Sequence, residues 1–302
     1  MTRPDVSARK ETPTQPAGGS ALACTDWQAF TGPGERWARS IERMEAEAEA
    51  RVKAAVARVI RGETFSDVSP LWLKFLQRNL PVAAFAFNEC GRLLEAVSRR
   101  TPWGGMAHGL QLQASMQYRQ AQSIVLYAAD MEQRMGQMPM HTARSRWETD
   151  REWLPAHHYL EQAATCTDWG ETLVAVNLCF EPLAGQLLRR EIAMGLGPAH
   201  GDHVTTVVAE AGQEEWALTR SWTTAVLEFF VRDATHGPAN RRHLQQWIAR
   251  QLPLAEAAVR TLAGLAKGLD LPRVARRTDG GPVARVIADQ RTLLTDLGLV
   301  AT

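Results

Sequence analysis

Residues 115–136 read SMQYRQAQSIVLYAADMEQRMG, a stretch with the apolar spacing of a long buried helix. Gln117 and Gln120 lie three positions apart in it, so a helix places them on one face. A metal site on a helix uses Glu and His at that spacing, whereas an amide is a poor ligand for iron. The stretch therefore predicts an interior helix that has the spacing of a metal-binding helix and lacks its ligands.

Long helices are also predicted on both sides of this stretch. Ser69 and Pro70 together indicate a helix start, because serine caps helices and proline is favoured in the first turn. Pro81 lies inside the same predicted helix and should kink it. The predicted helices cover residues 35–60, 70–100, 106–135, 168–195, 202–231 and 241–269.

The fold class predicted from this pattern is all-α, since no stretch alternates polar and β-branched apolar residues as a strand would. Helices of roughly 25 to 30 residues are about 40 Å long, which favours a large bundle over a globin-like packing of shorter helices. The long helices come as two similar halves, near 70–135 and near 168–231. This pairing is typical of a ferritin-like, ribonucleotide-reductase-like bundle.

Three regions are expected along the chain. Residues 1–32 are rich in Pro, Gly, Ser and Thr and poor in large apolar side chains, so we interpret them as a flexible N-terminal arm. Residues 33–268 hold the long helices and form the ferritin-like domain. Residues 269–302 form a C-terminal extension, in which VARVIADQRTLLTDLG predicts a short helix.

The composition argues against several classes of function. The 34 Lys and Arg balance 33 Asp and Glu, so no global field attracts nucleic acid or an anionic membrane. The first residues lack the apolar run of a signal peptide, and no window approaches the roughly 18 apolar residues of a membrane span. The cysteines form no C-x-x-C pair, which favours reduced thiols in a soluble cytoplasmic protein. They are Cys24, Cys90, Cys166 and Cys179.

Metal-binding motifs that contain histidine are absent from the sequence. A carboxylate di-iron bundle uses Glu-x-x-His on each of two helices and one Glu on each of the other two. None of the eight histidines has a glutamate three positions before it. Asp233 and His236 have the right spacing, but they precede Gly237, where aspartate commonly completes a turn. The G-x-S-x-G, P-loop, G-x-G-x-x-G and H-E-x-x-H signatures are absent as well.

Two further groups of histidines have ordinary structural explanations. His157 lies four positions before Glu161 and is expected to form a surface ion pair with it. His200 and His203 flank Asp202 at a predicted helix start, where these side chains would complete backbone hydrogen bonds. Neither group supplies enough ligands for a metal.

Glu89 is the titratable residue that stands out, because it lies in the almost wholly apolar run VAAFAFNECG. A buried carboxylate must be paired, protonated or bound to a metal. The structural interpretation is a carboxylate bonded to an Arg or Trp on a facing helix.

Five stretches, taken together, resemble a known family in their order and spacing. They are YRQAQSIVLY (118–127), ARSRWETDREW (143–153), DWGETLVAVNLCFEPLAGQLLRRE (168–191), GDHVTT (201–206), and N-x-x-x-L-x-x-W-I followed by P-L-A-E-A-A (240–258). The family is the β subunit of the hydroxylase component of soluble bacterial multicomponent di-iron monooxygenases, which oxidise methane, alkenes, propane, toluene or phenol. The resemblance covers roughly residues 35–268.

The resemblance implies a bundle that has lost its iron ligands. In the family, an α subunit of similar fold carries the iron, and the β subunit lacks the ligands. The Glu-x-x-His of the third helix falls here on Gln117 and Gln120, and many β subunits place His where this chain has Gln120. Only Glu89 looks like a retained counterpart. The other ligand positions fall near Val176 or Asn177 on the fourth helix and near Trp216 and Thr219 on the fifth.

The resemblance also implies partners and assigns no catalytic, cofactor-binding or metal-binding residue to this chain. The di-iron centre is expected in the α subunit, whose pocket decides the hydrocarbon. A γ subunit in an α2β2γ2 assembly, a small effector protein and a reductase fed by NAD(P)H are the further partners implied.

Two alternatives remain open from the residues alone. One is a helical interaction protein without a role in oxygenation, which the near-neutral charge and the absence of a recognisable site allow. The other is a free-standing ferritin-like oxidase with an unusual site around Glu89, Gln117 and Gln120.

Overall fold

The computed structural model describes residues 19–32, 37–60, 67–135, 139–269 and 280–299, and across these ranges the chain is helical without any strand, as predicted. Single-turn 3₁₀ segments lie at Trp27–Ala29, Met140–Thr142, Pro198–His200 and Ala263–Ala266. The helices are α1 (Trp37–Ile60), α2 (Pro70–Ser98), α3 (Gly104–Met135), α4 (Ala143–Thr149), α5 (Leu154–Ala164), α6 (Trp169–Met194), α7 (Val204–Val231), α8 (Gly237–Leu262) and α9 (Gly281–Asp296).

The bundle is built around α6, which begins as an α-helix and continues with the wider π geometry over Val174–Gly185 and Leu187–Met194. Every residue of Val174–Gly185 is buried. Helices α8 and α9 pack on this first π segment, α7 packs on the second, and α2 and α3 pack along each other. A helix apolar on all sides is expected at such a central position.

Pro182 has a clear structural consequence inside α6. In the π geometry of this segment an N–H donates to the carbonyl five residues earlier, so Pro182, which has no N–H, leaves the carbonyl of Asn177, next to Leu178, without its helical donor. Gln290 of α9 lies against this point, and its Nε2 donates to the Leu178 oxygen at 3.1 Å. Gln290 is 1% exposed, so a buried polar contact joins the C-terminal helix to the centre of the bundle.

Helix α2 begins as the sequence predicts. The Ser69 hydroxyl accepts a hydrogen bond from the Trp72 N–H at 3.3 Å, and Pro70 occupies the first turn. The helix continues through Pro81 without interruption. The predicted kink at that proline stays a prediction.

The interpretation of residues 1–32 as a flexible arm is wrong for residues 19–32, which pack on the bundle. Side chains from distant helices bind the backbone of this segment. Asp168 accepts from the Ala21 N–H at 2.6 Å, and Asp233 accepts from the Thr25 N–H at 2.6 Å. Asn240 both accepts from the Ala23 N–H and donates to the Ala23 carbonyl. Residues 1–18 lie outside the described part of the chain.

The C-terminal region contains the predicted short helix, α9, which packs on α6 and binds it through Gln290. The other buried residues of α9 are Val286, Ile287, Leu293 and Leu294. The proposed division at 268 and 269 falls beside residues 270–279, outside the described ranges, and stays a prediction. No helix in the described ranges is long and apolar enough to cross a membrane.

Candidate functional site

The positions where the resemblance places lost iron ligands lie, with one exception, inside the bundle. Gln117 is 7% exposed, Gln120 is 6% exposed, and both project from α3. Asn177 of α6 is 1% exposed and Thr219 of α7 is 2% exposed. These helices therefore bring polar side chains to one interior region, where each polar atom needs a partner. Val176 and Trp216 are buried too.

One layer of this interior is a network of amides and a hydroxyl. The Asn177 Nδ2 group donates to Gln113 Oε1 at 2.8 Å and to Thr223 Oγ1 at 2.9 Å. The contact joins α6 to α3 and α7. Each of these side chains is neutral, so the layer offers hydrogen bonds between helices rather than ligands for a hard metal ion.

A second layer contains an ion pair. The Arg189 guanidinium donates to the Glu181 carboxylate and, at 3.1 Å, to Gln120 Oε1. Glu181 is 0% exposed, and the Arg189 carbon Cζ lies 5.2 Å from the centre of the Phe87 ring. Gln113 and Gln120 are two turns apart on α3, so the two layers follow one another along the same face. We refer to Gln120, Glu181 and Arg189 as the interior ion-pair cluster.

Two glycines make room for this cluster. A Cβ at Gly185 would lie 2.6 Å from a Glu181 carboxylate oxygen, and a Cβ at Gly212 of α7 would lie 2.6 Å from Gln120 Nε2. Carbon atoms do not approach polar atoms so closely. Both positions therefore require glycine for the cluster to keep its geometry.

The structure corrects the expectation for Glu89. Its side chain is 29% exposed and pairs with Arg92, three residues further along the same helix, at 2.9 Å. The predicted bond to a facing helix is therefore wrong, and Glu89 lies at the rim of the bundle. A Glu and an Arg three apart commonly form such a surface pair on one helix, a signal that the sequence already contained.

Glu181 is the interior carboxylate that the sequence reasoning missed. It lies in the apolar run VAVNLCFEPLAG, much as Glu89 lies in VAAFAFNECG. The difference is the position of the arginine. Arg189 follows Glu181 by eight residues on the same buried helix, and the two side chains meet inside the bundle.

A partly buried set of charges links α1 to the bundle beside this cluster. Arg119 of α3 binds Glu215 of α7 at 2.8 Å and Glu45 of α1 at 2.5 Å. Burial raises the pKa of the Glu215 carboxyl to about 7, although the Arg119 guanidinium acts in the opposite direction. Glu215 is consequently a carboxyl whose charge changes near neutral pH.

His236 and His157 occupy the structural roles predicted for them. The backbone N–H of His236 donates to Asp233 Oδ1 at 2.7 Å, so this pair is part of a turn. His157 lies 3.5 Å from an exposed Glu161 carboxylate, as a surface pair would.

Asp202 likewise completes the start of α7, as predicted. It accepts from the N–H groups of Val204 and Thr205 at 3.0 Å, and also from the Trp72 indole at 2.7 Å. His200 stacks on that indole. The expectation for His200 and His203 is wrong, because His203 makes no cap hydrogen bond at the start of α7 and the His200 ring contacts the Ser69 hydroxyl at 2.8 Å rather than a backbone group.

The interior residues do not fit a di-iron centre. Two irons need several carboxylates and two imidazoles in one place. Among the described residues, Glu181 is the buried carboxylate that lies in the cluster, and a guanidinium already binds it. The other buried carboxylates, Glu191, Asp202 and Glu215, are engaged with Arg285, the start of α7 and Arg119. Within the described ranges, no three His, Cys, Asp or Glu side chains come together as metal ligands would. A buried cation at Arg189 also opposes a second positive charge beside it.

Comparison with known proteins gives consistent results. The family described as Methane/Phenol/Alkene Hydroxylase matches residues 5–234. The chain is 26% identical over 239 residues to the hydroxylase component small subunit of propane 2-monooxygenase from Gordonia sp. (strain TY-5), covering 79% of this chain and 65% of that protein. It is 22% identical over 129 residues to the hydroxylase component subunit beta of the toluene-4-monooxygenase system from Ectopseudomonas mendocina, covering 43% and 38%. The chain thus spans less than two thirds of the length of these relatives.

Solved structures share the fold. Phenol hydroxylase from Pseudomonas sp. OX1 superposes with a TM-score of 0.78 at 17% identity, covering 98% of this chain and 89% of that one. Toluene 4-monooxygenase superposes with a TM-score of 0.75 at 19% identity, covering 82% and 81%. The expectation of a ferritin-like helical bundle is confirmed.

Proposed function

Because the chain belongs to the methane/phenol/alkene hydroxylase family, we propose that it is the non-catalytic β subunit of the hydroxylase of a multicomponent di-iron monooxygenase. The observation that supports this proposal most strongly is the interior ion-pair cluster. Gln120 lies where an iron-bearing relative would present a ligand, and it binds Arg189.

The proposed role is to hold an iron-bearing α subunit rigid within the hydroxylase. A metal centre needs its ligands fixed to a fraction of an ångström, and packing a second bundle against the first stiffens both. The interior of this chain suits that task, since hydrogen bonds and an ion pair join α3, α6 and α7. The α subunit, with its di-iron centre, would supply the oxygen chemistry on a hydrocarbon.

Further partners belong to the same proposal. A γ subunit in an α2β2γ2 assembly, an effector protein and an NAD(P)H-dependent reductase would complete the system. The name of the Gordonia relative, a hydroxylase component small subunit, supports a place in such a multicomponent enzyme. The complete system would be cytoplasmic, where NAD(P)H is available.

Co-expression tests the proposed role. The chain should be produced alone and together with a larger hydroxylase chain that carries two Glu-x-x-His motifs. We expect the two chains to purify together at equal stoichiometry. With the reductase, the effector protein and NAD(P)H added, the complex should oxygenate a hydrocarbon, and this chain alone should not do so under the same conditions. If this chain stays monomeric and does not bind the larger hydroxylase chain, the result would favour the alternative of a helical interaction protein.

The free-standing oxidase requires a separate experiment. If that alternative held, the isolated chain would consume oxygen, and Glu89→Gln combined with Gln117→Ala would abolish the activity. The surface pairing of Glu89 with Arg92 gives this alternative no support.

A further inference from the structure

A cavity of about 60 Å³ lies between α2, α3, α7 and the second π segment of α6. Aromatic rings and aliphatic side chains form almost all of its wall, and one side reaches the interior ion-pair cluster at Arg189 and Gln120. Its wall includes Trp72, Leu76, Phe87, Ile124, Trp153 and Val208.

Asn79 and Gln120 on this wall are engaged with protein, whereas Arg189 Nε and Thr205 Oγ1 are buried without a hydrogen-bond partner. Asn79 Nδ2 donates to the Phe75 carbonyl at 3.1 Å, and Asn79 Oδ1 accepts from the Trp153 indole at 3.3 Å. Gln120 Oε1 accepts from Arg189. A buried water needs two to four polar partners. Apart from Arg189 Nε and Thr205 Oγ1, aromatic and aliphatic groups form most of the wall, so most of the cavity suits an apolar occupant.

The size of the cavity limits the occupant. A cavity needs a volume of roughly 10–15 Å³ to hold a single water. An engineered cavity of about 150 Å³ in another protein binds benzene or xenon. The volume of about 60 Å³ found here lies between these values, so it suits an apolar molecule smaller than benzene.

Access is provided on one side of the cavity. Most of its wall is buried, but Phe75, Ala83, Leu188 and Leu265 are partly exposed. Leu265 lies in the 3₁₀ turn that follows α8, outside the long helices. Small side-chain rotations at these residues would open a path to solvent without unfolding a helix.

We propose that this cavity is a binding site for one small apolar molecule, of the size class of xenon, dioxygen or ethane. The occupant would contact the Phe87 ring and the aliphatic side chains, and it would be held by dispersion and the exclusion of water. The inference depends on the cavity and not on the proposed role of the chain in oxygenation.

Methyl NMR of the folded full-length chain under xenon or ethane pressure tests the site directly. We expect the methyl signals of Ile124 and Ile192, which line the cavity, to shift with pressure and to saturate. The exposed Leu71 and Leu126 provide an internal control, because a general solvent effect would move them in proportion to pressure without saturation.

Ala209→Leu should fill the cavity, since Ala209 is on its wall, and should remove the saturable shifts. Ala217→Leu is the matched control, because it makes the same change at an exposed position of the same helix. If Ala209→Leu does not fold, Leu76→Ala provides the second test. That change should enlarge the cavity enough for benzene, which the wild-type chain should reject, to shift the same methyl signals.

Two results would overturn the proposal. One is a proportional, unsaturated shift at Ile124 and Ile192 that matches the shift at Leu126. The other is an ordered water in a high-resolution crystal structure of the protein that xenon pressure does not displace.

Discussion

Arg189 and Glu181 lie eight residues apart on α6 and form an ion pair inside the bundle, with side-chain exposures of 2% and 0%. Taking two charges out of water is costly, and the pair remains favourable only while both partners are present. The pair lies against Gln120 and Phe87, so it fixes α6 relative to α3 and α2. Its role here is structural.

Arg189→Met should destabilise the protein strongly, because it leaves the Glu181 carboxylate buried without a partner. We expect a loss of about 3–5 kcal/mol in the free energy of unfolding, measured by urea denaturation. The double variant with Glu181→Gln should recover much of that loss. Arg92→Met, which removes the partner of the rim carboxylate Glu89, is the control and should cost about 1 kcal/mol or less. Equal losses of unfolding free energy for Arg189→Met and Arg92→Met would contradict the prediction that the buried ion pair matters more than the surface pair.

Glu215→Gln should change how stability depends on pH. Burial raises the pKa of Glu215 to about 7 in the folded protein, above its ordinary value of 4.5. Between these values the folded state holds a proton that the unfolded state has lost, so stability falls as pH rises from about 5 to 8. Relative to Glu215→Gln, the wild type should lose about 1–3 kcal/mol over that range. Glu214→Gln, which changes an exposed neighbour, should show no such trend.

Gln290→Met should remove the donor that binds the Leu178 carbonyl while keeping a similar volume. The carbonyl is then left without that partner inside the protein, and we expect a loss of about 1–3 kcal/mol by urea denaturation. Gln122→Met at an exposed site is the control and should stay within about 0.5 kcal/mol of wild type. A loss at Gln290 no larger than at Gln122 would show that α9 does not stabilise α6 through this contact.

Asp233→Asn should loosen residues 19–32. Desolvation acts to raise the pKa of Asp233, but the N–H groups of Thr25 and His236 outweigh it and lower the pKa to about 2. The lowered pKa means that the contact stabilises the protein above about pH 4 and is lost as pH falls toward 2. Hydrogen exchange at neutral pH should be faster for the amide of Thr25 in this variant. Asp289→Asn, at an exposed carboxylate of α9, should leave that exchange rate unchanged.

The long helices could be predicted from the sequence because their apolar spacing and end signals are local. Ser69 and Pro70 mark the real start of α2, whereas α8 begins at Gly237, four residues before the predicted start at 241. The docking of residues 19–32 could not be predicted, because the side chains that bind it, Asp168 and Asn240, lie 147 and 217 residues away from the amides they accept from.

The polar side chains inside the bundle could be predicted only in part. The burial of Gln117 and Gln120 follows from the helical pattern of α3, and the structure confirms it. Glu89 was expected inside the bundle and Glu181 was not singled out, because both occupy apolar runs and only the placement of the arginine separates them. The π geometry of α6 was not predicted, because apolar spacing that indicates a helix does not specify whether its hydrogen bonds span four or five residues.

The iron content of the isolated chain tests the central claim most directly. The purified protein should be treated with Fe(II) without oxygen, freed of unbound metal, and measured for iron per chain. We predict that it retains no stoichiometric iron, while the complex with the larger hydroxylase chain retains iron in that partner. About two irons per isolated chain, with oxygen consumption, would contradict the account.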